Sequence, residues 1–319
     1  MIEKQQWALR HVLVTGGAGF IGSHLVEQLT KRGTVVTVVD DLSAGRRENL
    51  VGAGGRAHLK QADIRQLRWE ELLGEQSYDV IFHLAANAYV PPSVERPAWD
   101  YGINLAGTFQ LLEALRQMRW PGALIYASSA AVYGEPVRMP IQEEDATVPI
   151  SPYGVAKLAA ERYIAVYSQL YGLRAASMRF FSVYGPRQRK QVVYDLIQKV
   201  VRNPTELPIY GDGTQTRDFN YVDDTARAMI LAAECASLQG ETYNVASGRE
   251  CSIRELAEII CGILRAQPRF IYSGSIRPGD PEKWKVNLDR LTTLGYRPQV
   301  TMEEGVRRTA DWILGSSAH

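Results

Sequence analysis

The sequence predicts an α/β fold with a doubly wound parallel sheet, and three observations carry that prediction. Its short β-branched runs are nearly all apolar rather than alternating, as strands covered on both faces must be. Helical patterns fall between these runs, the order of a parallel sheet wound by crossovers. A glycine-rich turn joins the first run to the first helical pattern.

Taken in order, His11–Thr15 (HVLVT) reads as the first strand, residues 19–31 as the first helix and Val35–Asp40 (VVTVVD) as the second strand. Residues 79–85 (DVIFHLA) and 123–128 (ALIYAS) are two more strands. Helical stretches cover residues 99–116 and Pro152–Tyr171. Beyond Phe180 the order loosens. Residues 187–190 form a basic run, 204–216 are rich in turn residues, and 276–280 (IRPGD) read as a loop. Helical patterns remain at 222–236, at Ile253–Leu264 and at 302–314. This implies a sheet-based domain over 1–179, with 220–248 interleaved, and a smaller C-terminal lobe over 180–319, mainly 180–219 and 249–319.

Composition removes several function classes. The 319 residues are 45% hydrophobic and 22% charged, enough for a sizeable core and unlike a disordered chain. Thirty-six basic against 35 acidic side chains leave a net charge of +1, so no global field draws nucleic acid or an anionic membrane. Any bound anion must be held by local geometry. The three cysteines, Cys235, Cys251 and Cys261, form no C-x-x-C pair and suit a reducing compartment. The N-terminal segment meets a strand almost at once and has no apolar h-region, and no run approaches ~18 apolar residues, so a cytoplasmic chain is expected. The five histidines form no H-x-x-x-H pattern and none pairs with a cysteine, so no metal centre is expected. Ser128 and Ser129 lack the flanking glycines of a hydrolase nucleophile elbow.

The turn Thr15-Gly16-Gly17-Ala18-Gly19-Phe20-Ile21-Gly22 ends a strand and opens a helix. Glycines there let the backbone approach a pyrophosphate whose charge sits at the helix N-terminus. Asp40 closes the next strand about 20 residues on, the spacing at which an acid meets the ribose of a bound dinucleotide. Its charge would accept from a 2′-hydroxyl and repel a 2′-phosphate, which selects NAD over NADP. Arg46 and Arg47 follow and read as a solvated loop.

Among 16 tyrosines, Tyr153 alone has a lysine four residues on, Lys157. Positions i and i+4 share a helix face, so the ammonium sits under the phenol. Ser151 followed by Pro152 gives an N-cap and N1 start, which puts Tyr153 at the positive end of the helix dipole. Both effects favour a phenolate. To act as a base near neutrality a tyrosine must fall by roughly three units from ~10, about 4 kcal/mol. Ser129, just after a strand, can hydrogen-bond the oxygen that Tyr153 deprotonates, with Ser128 as its neighbour.

Together the segments TGGAGFIGSHL, VVDDLSAG, HLAA, SSAAVYG, SPYGVAKLAAE, RFFSVYGPRQ, GDGTQTRDFNYVDD, YNVASG and RPGD resemble the extended short-chain dehydrogenases/reductases. They are similar to that group's NAD-dependent nucleotide-sugar epimerases and dehydratases, along essentially the full chain. The resemblance implies a Rossmann domain, a substrate-binding C-terminal lobe and bound NAD. It places Gly16, Gly19, Phe20, Ile21, Gly22, Asp40, Asp41, Asp63, Ile64, Leu84, Ala85, Ala86, Tyr153 and Lys157 on the cofactor. It gives Ser129 the family's Ser/Thr position, and sets Ser128, Ser182, Gln191, Arg217, Arg277, Asp280 and Trp284 around a nucleotide-diphosphate sugar.

Family members share oxidation at the sugar C4 and differ in the fate of the 4-keto intermediate. The resembling dehydratases and decarboxylases carry an acidic residue just before the V-Y-G segment, where this chain has Ala130 and Ala131. Without a second acid/base the expected outcome is hydride return to the other face, a 4-epimerase of the UDP-glucose/UDP-galactose type. UDP-glucuronate 4-epimerase, 4-keto reductase and dehydratase are the alternatives, the basic run 187–190 being a candidate contact for an anionic sugar. A non-catalytic NAD sensor would not need Tyr153, Lys157 and Ser129 together. Ser182 stands where the family usually has asparagine, and the resemblance sets Trp284 at the position that lies by the sugar C2 substituent, which implies a preference for non-acetylated hexose. By the same resemblance a homodimer is expected through residues 99–116 and 152–171, with Leu158, Tyr163, Val166 and Leu170 as candidate contacts.

Overall fold

The structure is a computed structural model that describes residues 9–274 and 283–316. The first half runs β1 (His11–Thr15), α1 (Phe20–Lys31), β2 (Val35–Asp40), β3 (Ala57–Gln61), α2 (Trp69–Glu75) and β4 (Val80–His83). There follow α3 (Val90–Glu95), α4 (Pro97–Tyr101), α5 (Thr108–Gln117), β5 (Ala123–Ser129), α6 (Pro152–Tyr171), β6 (Arg174–Phe180) and β7 (Ser182–Tyr184). The remainder is α7 (Gln191–Arg202), β8 (Glu206–Ile209), β9 (Thr216–Tyr221), α8 (Val222–Cys235) and β10 (Gln239–Val245). It closes with β11 (Glu250–Ser252), α9 (Ile253–Leu264), β12 (Arg269–Tyr272), α10 (Asp289–Thr293) and α11 (Met302–Ser316).

Seven strands form one parallel sheet in the order β10-β6-β5-β4-β1-β2-β3. Both faces are covered, which is why its strands carry no polar alternation. Val12 and Val14 pack with Leu25, Phe82, Ile125 and Met229 on one side, while Leu13 packs with Ile81, Leu112 and Ile164 on the other. Thr15 pairs with Val39 of β2 and with His83 of β4, so three carboxyl ends finish level. The winding reverses between β1 and β4, and ligands of such sheets bind in the crevice at that rim. Smaller sheets, β11-β9-β7 and β12-β8, stand beyond β6 in sequence. Among the described residues no helix is long and apolar enough to cross a membrane.

Two segments depart from the sequence expectation. Residues 204–216, read only as turn-rich, include β8, which pairs in parallel with β12. The single helix expected over 99–116 is α4, a wider π turn at Gly102–Gly107, and α5. Buried Asn104 sits in that turn, its amide donating to Asp100 Oδ1 at 2.7 Å and to the Asn87 carbonyl at 3.1 Å. Such inward polar anchoring is where helices loosen from the i→i−4 ladder.

Candidate active site

At the end of β1 the backbone itself forms the wall. Gly16 has φ +69°, and a Cβ there would stand 2.8 Å from the Ala85 amide nitrogen. A Cβ on Gly22 would stand 2.1 Å from the Gly16 carbonyl oxygen, so the turn closes only on bare glycine. Gly19 opens α1 without a side-chain cap, which leaves helix amides available to an anion, with Phe20 and Ile21 in the first turn. Thr15 Oγ1 accepts from Leu84 N and Ala85 N, both at 3.1 Å, and pins the exit of β4, where Ala86 follows, against the turn.

The acid at the end of β2 is in place. Asp40 is 6% exposed and accepts from Ala18 N at 2.9 Å and from Leu42 N at 2.8 Å. Burial raises its pKa above the usual carboxylate value, while those backbone amides oppose the rise. Asp41 is engaged in a local turn with Ser43, and Asp63 is held by Arg65, which keeps its carboxyl below the usual range. Ile64 is buried. Arg47 donates to Gln61 Oε1 at 2.6 Å. A cradle that a Cβ would fill, an uncapped helix start and a buried acid at β2 fit the diphosphate and ribose of NAD.

Ser151 caps α6, accepting from Gly154 N at 3.1 Å, and Pro152 follows at the helix start. Tyr153 lies in the first turn, 8% exposed, its amide donating to Ser93 Oγ at 3.2 Å. Lys157 is 3% exposed. Its Nζ donates to the Ala127 carbonyl at 2.8 Å and lies 5.9 Å from the Tyr153 ring centre. Ser129 accepts from Ala131 N at 3.2 Å, beside the phenol.

The electrostatics correct one expectation. Burial pushes the Tyr153 phenol up to about 12, with the Ser129 hydrogen bond opposing the rise and the Asp100 carboxylate adding to it. Burial likewise pushes Lys157 down to about 8 against the pull of Asp100 and Glu161. The phenolate is therefore not the resting state of the isolated chain.

Ser128 is a second correction. It is 3% exposed and donates to Glu161, so alternation along β5 turns it away from the site on which Ser129 opens. Ser182, Gln191 and Arg217 line one cleft of about 550 Å³ with Lys190, Gln188 and Gln215. Trp284 is half-buried, its ring edge-on to Phe181 at 5.2 Å and its indole nitrogen buried without a partner. Arg277 and Asp280 lie outside the described residues. The basic run is dispersed: Arg187 binds Ser23 and Glu27, Arg189 lies over Trp312, and Lys190 Nζ lies 4.4 Å from the Tyr89 ring centre.

Sequence reasoning missed two buried clusters beside the site. Asp100 accepts from Asn87 and Asn104 under α6. Arg179 forks onto Glu161 behind β5. The available signal was a charged residue inside an otherwise apolar strand or helix face, which is tolerated only when paired.

The family profile described as NAD dependent epimerase/dehydratase matches residues 12–246. The UDP-glucose 4-epimerase of Mycolicibacterium smegmatis is 37% identical over 96% of this chain and 99% of its own. The structure of the UDP-N-acetylglucosamine 4-epimerase from Methanobrevibacter ruminantium in complex with UDP-N-acetylmuramic acid matches with a TM-score of 0.90 at 34% identity, covering 97% of this chain and 100% of that one. The UDP-glucuronic acid 4-epimerase from Bacillus cereus, in complex with UDP-glucuronic acid and NAD, matches with a TM-score of 0.87 at 32% identity over 96% and 99% of the two chains. With the glycine cradle, the acid of β2 and the Tyr153–Lys157 helix in one rim, the chain belongs to the NAD-dependent epimerase/dehydratase family.

Proposed function

We propose that the chain is a 4-epimerase of a nucleoside-diphosphate hexose, of the UDP-glucose/UDP-galactose type. The observation that carries this is local. Tyr153, Lys157 and Ser129 meet at the rim, and the turn after Ser129 carries Ala130 and Ala131 at the positions where the resembling dehydratases and decarboxylases have an acidic residue. Alanine moves no proton, so loss of water after C4 oxidation has no catalyst there.

NAD, when bound, supplies the acceptor and donor of the C4 hydride. Tyr153 takes the proton of the C4 hydroxyl and later returns it. Lys157, fixed by the Ala127 carbonyl, supplies the positive charge that makes the phenol a usable base. Ser129 holds the C4 oxygen within reach of Tyr153. Arg217 approaches the diphosphate and Gln191 lines the sugar–phosphate path, while Ser182, a shorter donor than the asparagine usual in the family, contacts the sugar. Purified protein offered a panel of nucleotide sugars, without added NAD, should interconvert C4 epimers resolved by NMR. Accumulated NADH, or a 4-keto-6-deoxy product, would instead identify a reductase or dehydratase.

One observation favours UDP-glucuronate as a second substrate. Lys190 lines the cleft and rests on the Tyr89 ring, with no carboxylate partner among the described residues. Turnover of UDP-glucuronate in the same panel reads this directly.

Trp284 is read as the limit on the C2 substituent. Trp284→Ser should raise turnover of UDP-N-acetylglucosamine relative to UDP-glucose several-fold, about the 10–200-fold worth of small steric differences in a pocket at most. An unchanged ratio removes Trp284 from the specificity argument.

The protein is read as a homodimer through residues 99–116, which span α4 and α5, and through α6. Tyr163, Val166 and Leu170 are 43%, 45% and 68% exposed along α6, which leaves their apolar side chains available to a second copy. Leu158 instead packs on the inner cluster around Phe181 and Val286. Light scattering should give twice the 35.6 kDa chain mass, and Val166→Glu with Leu170→Glu should give the chain mass.

A further inference from the structure

Asp100 is a buried acid to which the proton transfer just described gives no role. It is fully buried on α4, which packs on α6. Its Oδ1 accepts from Asn87 Nδ2 and from Asn104 Nδ2, each at 2.7 Å, while its Oδ2 is buried with no hydrogen-bond partner. A carboxylate is an expensive side chain to bury in this way unless a positive charge is near.

The groups that face Lys157 show which charge that is. From its own helix come the Tyr153 ring at 5.9 Å and Glu161. From β5 come the Ala127 carbonyl at 2.8 Å and the Tyr126 ring at 4.8 Å. From β4 comes His83, whose ring accepts from Thr15 and donates to Thr108 and is held neutral, pushed down to about 3 by burial and then by Lys157 itself. From α4 comes Asp100. Glu161 is already bound by the Arg179 fork and by Ser128, so its charge is compensated elsewhere. Asp100 is the acid whose contacts are neutral amides; burial raises its pKa, and Asn87, the Lys157 charge and Asn104 oppose that rise and favour the carboxylate.

We infer that Asp100 is a positioning residue, the buried counter-charge that holds the Lys157 ammonium under Tyr153, with Asn87 and Asn104 clamping its carboxylate in place. The inference rests on the reading of Tyr153 and Lys157 as the proton-transfer pair. The physical sign is definite. Burial drives Lys157 toward the neutral amine and Asp100 opposes it, so removing the charge of Asp100 lets Lys157 lose its proton at lower pH. The same change removes a negative charge that holds the Tyr153 phenol up, so both limbs of the pH profile move toward acid.

Asp100→Asn tests this with little change of shape, because its amide oxygen can still accept from Asn87 and Asn104. The Lys157 resonance of the NAD-bound full chain, labelled at lysine Cε and assigned with Lys157→Arg, is titrated by NMR beside the pH profiles of kcat and KM. The expected result is a Lys157 titration about one unit lower, an alkaline limb of kcat displaced by the same amount, and KM within about twofold. A folded Asp100→Asn protein in which Lys157 titrates as before overturns the inference, whatever its activity. If the amide does not fold, Asp100→Ser, smaller and also uncharged, is read in the same way. The NMR titration needs no sugar, so it stays decisive even if the wild-type chain turns over none of the panel and the epimerase reading falls.

Discussion

Tyr153→Phe should lower kcat by about 10³-fold while KM stays within a few-fold, since a positioned general base contributes about 10²–10⁴. The substitution keeps the ring that fills this 8% exposed position and removes one oxygen, so folding and NAD binding should survive. Two measurements separate chemistry from collapse: the rate of C4 interconversion by NMR, and the nucleotide released on denaturation, weighed by mass spectrometry. Full NAD content with a lost rate is the expected pair. A rate within tenfold of wild type would remove Tyr153 from the proton transfer. The pH dependence has a definite sign. A phenol pushed up to about 12 is mostly protonated at neutral pH, so kcat should climb from pH 6 toward 8 as the base form grows. The climb should flatten as Lys157, pushed down to about 8, starts to lose its charge.

Most of what positions that site is written in local sequence. Apolar runs of the right length mark β1, β2, β4 and β5 within two residues at their ends, because a strand covered on both faces leaves its mark residue by residue. The glycine turn and the Ser151-Pro152 helix start were equally legible, since caps and bare-backbone turns are chemistry between near neighbours. Three things were not. Which of Ser128 and Ser129 opens on the site depends on where β5 ends, and a strand that runs to Ser129 inverts the faces of a guess made by neighbourhood alone. The break of residues 99–116 into α4 and α5 depends on Asn104 finding Asp100 and Asn87, contacts that periodicity does not carry. The direction of the Tyr153 shift depends on burial, which belongs to the assembled core. A lysine four residues on is a local fact, and the desolvation that raises the phenol is not.

Glu161→Ala should be the most destabilising single change beside the site, by about 3–5 kcal/mol, the cost of leaving a buried charge without its partner. Arg179 is 2% exposed and Glu161 3%. The guanidinium meets the carboxylate through Nε at 3.0 Å and Nη2 at 2.8 Å, and gives its remaining Nη1 donors to the Tyr133 hydroxyl at 2.8 Å and the Glu143 carbonyl at 3.0 Å. Tyr133 passes a hydrogen bond on to Asn244 at 2.7 Å, and Asn244 N donates to Glu143 Oε1 at 2.8 Å. One ion pair thus ties α6, β6, β10 and the 141–145 segment together behind the strand that ends at Ser129. Truncating Glu161 leaves the Arg179 Nη1 contacts in place, frees the Ser128 hydroxyl and strands the cation, against a total stability of about 5–15 kcal/mol for a typical domain. Urea unfolding gives the difference directly. The companion double variant, Glu161→Met with Arg179→Met, removes both charges and should recover much of the loss, because the large term is the unpaired charge rather than the pair itself. If the double variant were as unstable as the sum of the two singles, the coupling would be absent and the network would stand on packing alone.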